Sequence, residues 1–188
     1  QKTADAILAD LENAKYKVAD VVKKETLRTP PAPFTTSTLQ QAAINSLGFS
    51  SKQTMMAAQK LYEMGLITYM RTDSTHISGD ALQMARDYIG RTFGDRYVPE
   101  KPNFFASSNK SAQEAHEAIR PTDANFTPRT ASGKLSTDEL KVYTLIWNRF
   151  IACQMPPAEF DQTAVMIAAP TPAGEAVFRG TGRKLVFD

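Results

Sequence analysis

Apolar positions recur along this chain with two different periods, and the places where the period changes divide it. Over residues 3–13, Ala4, Ile7, Leu8 and Leu11 recur at helical spacing, with Asp5, Asp10 and Glu12 on the other side. From Tyr16 the period falls to two. Tyr16, Val18, Asp20 and Val22 alternate with Lys17, Ala19, Val21 and Lys23, which predicts a strand with a lysine edge running through Lys24. Thr29-Pro30-Pro31-Ala32-Pro33 then ends regular structure, because three prolines in four positions remove backbone donors and favour extended chain.

The helical period returns beyond the prolines. Ser37 stands three residues before Gln40, and Ser50 three before Gln53, so each pair fits a capping box. The first helix carries Leu39, Ala42, Ala43 and Leu47 on one face and stops at Gly48. The second runs from about Ser51 to Met64, with Met55, Ala58, Leu61 and Tyr62 expected to face inward, and stops at Gly65. Helix, tight turn, helix and then a β-rich run, Leu66-Ile67-Thr68-Tyr69-Met70, is the order of a winged helix-turn-helix. In that fold Lys52, Gln53 and Thr54 occupy the helix end that meets base edges or phosphates; a packed helical hairpin with a polar cap fits equally well. Alternation through the β-rich run puts Tyr69, Arg71 and Asp73 on one side and Thr68, Met70 and Thr72 on the other.

Ser78 or Asp80 opens a further helix with the stripe Ala81, Leu82, Ala85, Tyr88 and Ile89, closed by Gly90 or Gly94. Residues 97–109 read as loop. Gln113 to Ile119 reads as a short helix stopped by Pro121, with His116 and Arg120 one turn apart on a polar face. Ser136 caps the most apolar helix, whose Leu140, Val142, Tyr143, Ile146, Trp147, Phe150 and Ile151 predict a core helix ending before Pro156-Pro157. The tail alternates at Thr163, Val165, Ile167 and Ala169, turns at residues 170–174, and resumes over residues 176–180 and 185–187. The β segments thus lie at the two ends and the helices between the two proline clusters. The expected fold is α+β: a mostly helical, winged-helix-like domain over residues 34–156, inserted into a small β-rich domain of residues 1–33 and 157–188.

Composition changes this picture little. The 188 residues carry a formal charge of +2, which permits a nucleic-acid partner without arguing for one. No apolar run approaches the roughly 20 residues needed to cross a bilayer, and the first residues do not form a signal peptide. Cys153, the single cysteine, lies in an apolar stretch and reads as a buried small hydrophobe.

The chemistry narrows by exclusion. Ser132-Gly133-Lys134-Leu135 lacks the first glycine and the hydroxyl residue of a phosphate-cradling loop. Arg120 stands where a zinc motif beginning at His116-Glu117 needs its second histidine. Two histidines, one cysteine and no dense carboxylate pair suggest no internal metal site. The nucleophile candidates reduce to Tyr69, unless a serine is activated by a base that the sequence does not reveal. Spacing alone leaves two readings of it open: a phenol poised with Arg71 at a phosphate, or a half-buried strand tyrosine beside a solvated arginine.

Three segments, in this order, resemble the bacterial type IA DNA topoisomerases. They are Pro33-Phe34-Thr35-Thr36-Ser37-Thr38-Leu39-Gln40-Gln41, Gly65-Leu66-Ile67-Thr68-Tyr69-Met70-Arg71-Thr72-Asp73-Ser74, and Gln113-Glu114-Ala115-His116-Glu117-Ala118-Ile119-Arg120-Pro121-Thr122. The resemblance implies that Tyr69 attacks a DNA phosphodiester and stays joined to the 5′ phosphate, that Arg71 holds the scissile phosphate, and that His116 supports charge or a proton. DNA contacts are then expected at Arg71, Lys52, Gln53, Ser111 and Arg120. The implied partners are a single-stranded segment of negatively supercoiled DNA and further domains of the same polypeptide, in the cytoplasm with the nucleoid. The family uses magnesium bound by a separate acidic domain. This chain contains no Asp-x-Asp, so the expectation is a central piece that carries the nucleophile and not the metal ligands. The alternative from another class is a non-enzymatic winged-helix DNA-binding regulator, in which Tyr69 is a wing residue.

Overall fold

A computed structural model describes residues 2–105, 116–172 and 174–187. It divides into two compact units: Gln1–Thr29 with Pro157–Asp188, and Pro30–Pro156. Six helices and a three-stranded antiparallel sheet are formed among the described residues, an α+β fold.

The first unit is built on the sheet. β1 (Lys17–Arg28), β2 (Ala158–Thr171) and β3 (Gly174–Phe187) lie in the order β1-β2-β3. The register runs from Lys17 opposite Ala168 to Arg28 opposite Ala158, with an irregularity between Val18 and Asp20. β3 continues through the residues left between the two expected tail strands, because Gly180, Thr181, Gly182 and Arg183 pair with Val165 through Gln162. α1 (Lys2–Glu12) forms over the expected range. Of its apolar stripe Ile7 and Leu8 are exposed and Leu11 is half-buried.

The second unit holds the hydrophobic core. α6 (Thr137–Ala152) runs through its centre, and Val142, Tyr143, Ile146 and Phe150 have no exposed surface. Its capping box is formed between Ser136 and Glu139 as the spacing predicts. Two buried aromatics keep their polar atoms bonded: the Tyr143 hydroxyl donates to Phe126 O at 2.6 Å and Trp147 Nε1 donates to Ala124 O at 3.0 Å. α2 (Thr36–Leu47) and α3 (Ser51–Glu63) pack against α6 and each other. Gly48 ends α2 at φ 68°, a left-handed conformation that costs a residue with a Cβ. α4 (Gly79–Phe93) follows Ser78, and Ala81, Leu82, Ala85 and Ile89 of its predicted stripe are buried. A four-residue helix, α5 (Pro128–Ala131), was not expected, although Thr127-Pro128 is a start signal.

Three local expectations are corrected here. α2 is capped by Thr35 with Thr38, two residues before Ser37. Ser50 does cap α3, but the Gln53 side chain does not close the box; its Nε2 donates 2.8 Å to Asp138 Oδ2. Tyr62 does not face inward: it is 41% exposed, and Thr54, Ala57, Ala58 and Leu61 make the buried face of α3. Cys153 is fully buried, and desolvation pushes its thiol up to about 12, so at neutral pH it is an inert hydrophobe.

Candidate active site

Tyr69 and its neighbours stand on extended chain rather than on a regular strand. After α3, Ile67 makes a single antiparallel bridge with Pro121. Thr68 N donates to Arg120 O at 2.9 Å, and Thr122 N to Leu66 O at 3.1 Å. The Thr68 hydroxyl donates 2.7 Å to Ala118 O and accepts from Arg120 N at 3.0 Å. The residue before the tyrosine is therefore tied on both sides to the segment that carries His116.

On the other side of Tyr69 the anchor is Thr36, at the start of α2. Its hydroxyl donates to Met70 O at 2.8 Å and accepts from Thr72 N at 2.9 Å, while its own N–H donates to Thr72 O at 2.9 Å. Met70 and Thr72 are consequently buried, at 1% and 8% exposure. Tyr69 (41%), Arg71 and Asp73 point to solvent. The alternation expected from Tyr69 to Asp73 is present, without the ladder of hydrogen bonds that defines a strand.

The described part of the segment expected as a short helix, residues 116–119, is extended, while its first part and Ser111 lie outside the described residues. Tertiary partners explain the difference. Ala118 N donates to His76 O at 2.8 Å, Ile119 N to Phe34 O at 2.8 Å, and Phe34 and Ile119 form a bridge. Each of these bonds uses a backbone donor that a helix needs internally, and each partner is far away in sequence. Phe34 is itself fixed, under the Arg149 guanidinium at 4.2 Å, with Arg149 Nη1 donating to Ala32 O at 3.1 Å.

This extended path brings His116 to Tyr69, with ring centroids 6.5 Å apart and planes inclined at 41°. Tyr62, from the last turn of α3, meets Tyr69 edge to face at 5.3 Å and 66°. Neither the Tyr69 hydroxyl nor the Arg71 guanidinium has a hydrogen-bond partner among the described residues. Both are available to a ligand.

Arg120 is turned away from such a role. Its side chain is 13% exposed, with Nη2 2.5 Å from Glu117 Oε2 and Nη1 donating to Pro121 O at 3.1 Å. Glu117 Oε1 in turn accepts from Ser78 N at 2.7 Å, satisfying a donor at the start of α4. Thus Glu117 and Arg120, paired with each other, tie the His116 segment to the start of α4 and to Pro121. Burial by itself raises the Glu117 carboxyl, but hydrogen bonds from Ser78 and Arg120 outweigh it and hold the group below its ordinary 4.5. A depressed folded value means that the contribution is fully present above the unfolded value and is lost as pH falls through the folded one. Urea midpoints of the helical unit are therefore expected to drop below about pH 4.5, and Glu117→Gln should flatten that part of the profile. An unchanged acid limb in Glu117→Gln contradicts this.

Lys52 and Gln53 lie elsewhere. They line an open cleft of about 510 Å³ between the starts of α3 and α6, with Lys60, Asp138 and Glu139. At the α-helical rise, Lys52 lies about 15 Å along α3 from Tyr62. Gln53 is engaged by Asp138, and Lys60 lies 3.5 Å from Glu139. Among the described residues no group of three His, Cys, Asp or Glu side chains is placed to hold a metal, and no helix is long and apolar enough to cross a membrane.

The exposed Tyr69 ring thus lies 6.5 Å from the His116 ring, and Arg71, two residues on, also faces solvent; a phenol with cationic neighbours is what transesterification at a phosphodiester requires. The family model described as DNA topoisomerase matches residues 1–188, and the chain belongs to that family. It is 51% identical to DNA topoisomerase 1 of Haemophilus influenzae over 188 residues, covering 100% of this chain and 21% of that protein. Identity to the Escherichia coli DNA topoisomerase 1 is 49%, again over 100% of this chain and 21% of the relative. Full-length topoisomerase I from Thermotoga maritima superposes with a TM-score of 0.80 at 39% identity, over 98% of this chain and 30% of that one. The chain thus spans about a fifth of the length of these two curated relatives. Both the type IA resemblance and the α+β expectation agree with these matches, and the regulator alternative has no counterpart in them.

Proposed function

We propose that this chain carries the strand-cleaving centre of a type IA topoisomerase. Tyr69 Oη attacks a backbone phosphorus of single-stranded DNA. The Oη–P bond forms, the P–O3′ bond breaks, the phenol gives up its proton and the departing 3′ oxygen gains one. One phosphodiester replaces another, so no ATP is consumed, and reversal of the same exchange reseals the strand. Between the two steps another strand passes, and relief of negative supercoiling drives net relaxation.

The observation that carries this reading is the Tyr69 hydroxyl itself: exposed, unbonded among the described residues, and beside His116 on a backbone tied down at Thr68 and Met70. A free phenol is a poor nucleophile at neutral pH, so neighbouring cations matter. Arg71 is the group to hold the phosphate and stabilise charge on its oxygens. His116 is placed to support charge or take a proton. The described side chains gather no group of three carboxylate, histidine or cysteine ligands that would hold magnesium by themselves. Magnesium, single-stranded DNA and the metal-binding domain belong to the proposal as partners from outside this chain, acting in the cytoplasm with the nucleoid. Lys52 is kept as a backbone contact at a distance from the cut. Ser111 remains a proposed contact on family grounds, whereas Arg120 is assigned to bracing.

The test uses the chain as it stands. Incubated with negatively supercoiled plasmid and magnesium, it is expected to leave the topoisomer distribution unchanged. With the metal-binding domain of the Haemophilus influenzae relative supplied in trans, covalent protein–DNA adducts should form. Efficient relaxation by the chain alone contradicts the division of labour, and absence of adducts in the complemented mixture contradicts the nucleophile's assignment.

A further inference from the structure

Among the described residues, Tyr62 is the large side chain at the site that neither the core nor the proposed chemistry accounts for. A helical stripe places it inward, yet 41% of it remains exposed at the end of α3. Burial therefore explains little of its position. Its contact is with the ring of Tyr69, at 5.3 Å between centroids and 66° between planes. That is the edge-to-face geometry in which the positive rim of one ring meets the negative face of another.

The backbone around Tyr69 is held by Thr68 and by Thr36, but those bonds leave the side-chain torsions free. No hydrogen bond to the Tyr69 hydroxyl is formed among the described residues. What orients the phenol is its two ring neighbours, Tyr62 and, at the longer distance of 6.5 Å, His116. In-line attack on phosphorus is sensitive to that orientation, since a misplaced nucleophile loses the advantage of proximity.

We propose that Tyr62 is a positioning residue for strand cleavage: its ring holds the Tyr69 ring in the orientation from which the hydroxyl reaches the phosphorus. This rests on Tyr69 being the nucleophile. The ring, and not the Tyr62 hydroxyl, performs the task, so phenylalanine should replace it and leucine should not. An edge-to-face pair is strong enough to bias a rotamer equilibrium about 2- to 10-fold, and the cleavage rate should fall by that factor when the pair is lost.

Two measurements test this. In the chain itself, with tyrosines selectively labelled for NMR, Tyr62→Leu is expected to move the Tyr69 ring signals, and Tyr62→Phe to leave them near their original positions. Tyr69 ring signals unmoved by Tyr62→Leu overturn the proposal, and this arm needs no DNA. In a chimera where this chain replaces the matched 188 residues of the Haemophilus influenzae relative, single-turnover adduct formation is followed on an oligonucleotide. Tyr62→Leu should slow it about 2- to 10-fold with oligonucleotide affinity unchanged, and Tyr62→Phe should restore the rate. Equal rates for Leu and the parent overturn the proposal, as does a loss of affinity that accounts for the whole effect, which makes Tyr62 a base platform instead. Adduct formation that survives Tyr69→Phe removes the nucleophile reading itself, a result the NMR arm does not share.

Discussion

Tyr69→Phe is expected to lower covalent DNA adduct formation by about 10⁴-fold or more, while changing affinity for a single-stranded oligonucleotide by less than about twofold. The magnitude follows from what is removed. Oη is the atom that would bond to phosphorus, and phenylalanine offers no substitute, so the loss is of a reaction and not of a stabilising contact. The fold should not respond. Tyr69 is 41% exposed, its hydroxyl has no partner among the described residues, and the ring contacts with Tyr62 and His116 survive the substitution. Arg71, the proposed phosphate contact, is untouched by the substitution. The check is a denaturing gel of radiolabelled oligonucleotide with the metal domain supplied, next to a filter-binding titration. A parallel loss of binding would mean that the tyrosine grips DNA more than it cuts it.

Part of the local structure around this candidate site was legible in the sequence, for identifiable reasons. The alternation of Tyr69, Arg71 and Asp73 against Met70 and Thr72 needs only a half-buried extended segment, and Thr36 supplies the anchor that buries the inner set. The core face of α6 was legible because packing against one side of a helix leaves a 3.6-residue signature. The extended path of residues 116–119 was not. Its Ala- and Glu-rich composition favours a helix locally, and the donors' partners, His76 and Phe34, lie some 40 to 85 residues away. Tyr62 departs from its stripe for a related reason. It sits at the margin of the α3 stripe, where periodicity cannot tell a core contact from a contact with Tyr69. For α2, Ser37 satisfied the capping pattern, but Thr36 is bound to Met70 and Thr72, which carries the helix start back to Thr35. The inward turn of Arg120 depends on Glu117, whose second oxygen answers Ser78; no pattern along one segment reveals a three-way bond of that kind.

Phe150→Ala should destabilise the helical unit by about 3–5 kcal/mol, at the upper end of what a single core truncation costs. Phe150 has no exposed surface and lies in the cluster that joins α2, α3, α4 and α6. Its removal forfeits both the transfer of a phenyl ring out of water and the contacts of the atoms that surrounded it, because a close-packed core relaxes only in part. Against a typical total of about 5–15 kcal/mol, this leaves the unit marginal. Urea unfolding followed by fluorescence reads the effect directly, since the single tryptophan, Trp147, lies on the same helix and is 8% exposed. A change under about 1 kcal/mol would show that the surrounding helices collapse into the vacated space.

The two effects separate the roles of the second unit. Its interior sets how firmly the extended segments are held, through Phe34, Thr36 and the bonds between residues 66–68 and 118–122. The side chains that face outward from those segments are then available for chemistry. Arg149 links the two levels, reaching from α6 to the Phe34 ring and the Ala32 carbonyl.

Trypsin digestion of the trapped adduct, followed by fragmentation mass spectrometry, addresses the nucleophile most directly. Cleavage after Lys60 and Arg71 releases Leu61–Arg71, which contains both Tyr62 and Tyr69. The nucleotide mass is expected on Tyr69, attached through a 5′ phosphate. Its appearance on Tyr62, or on any residue outside that peptide, would contradict the assignment of the strand-cleaving hydroxyl.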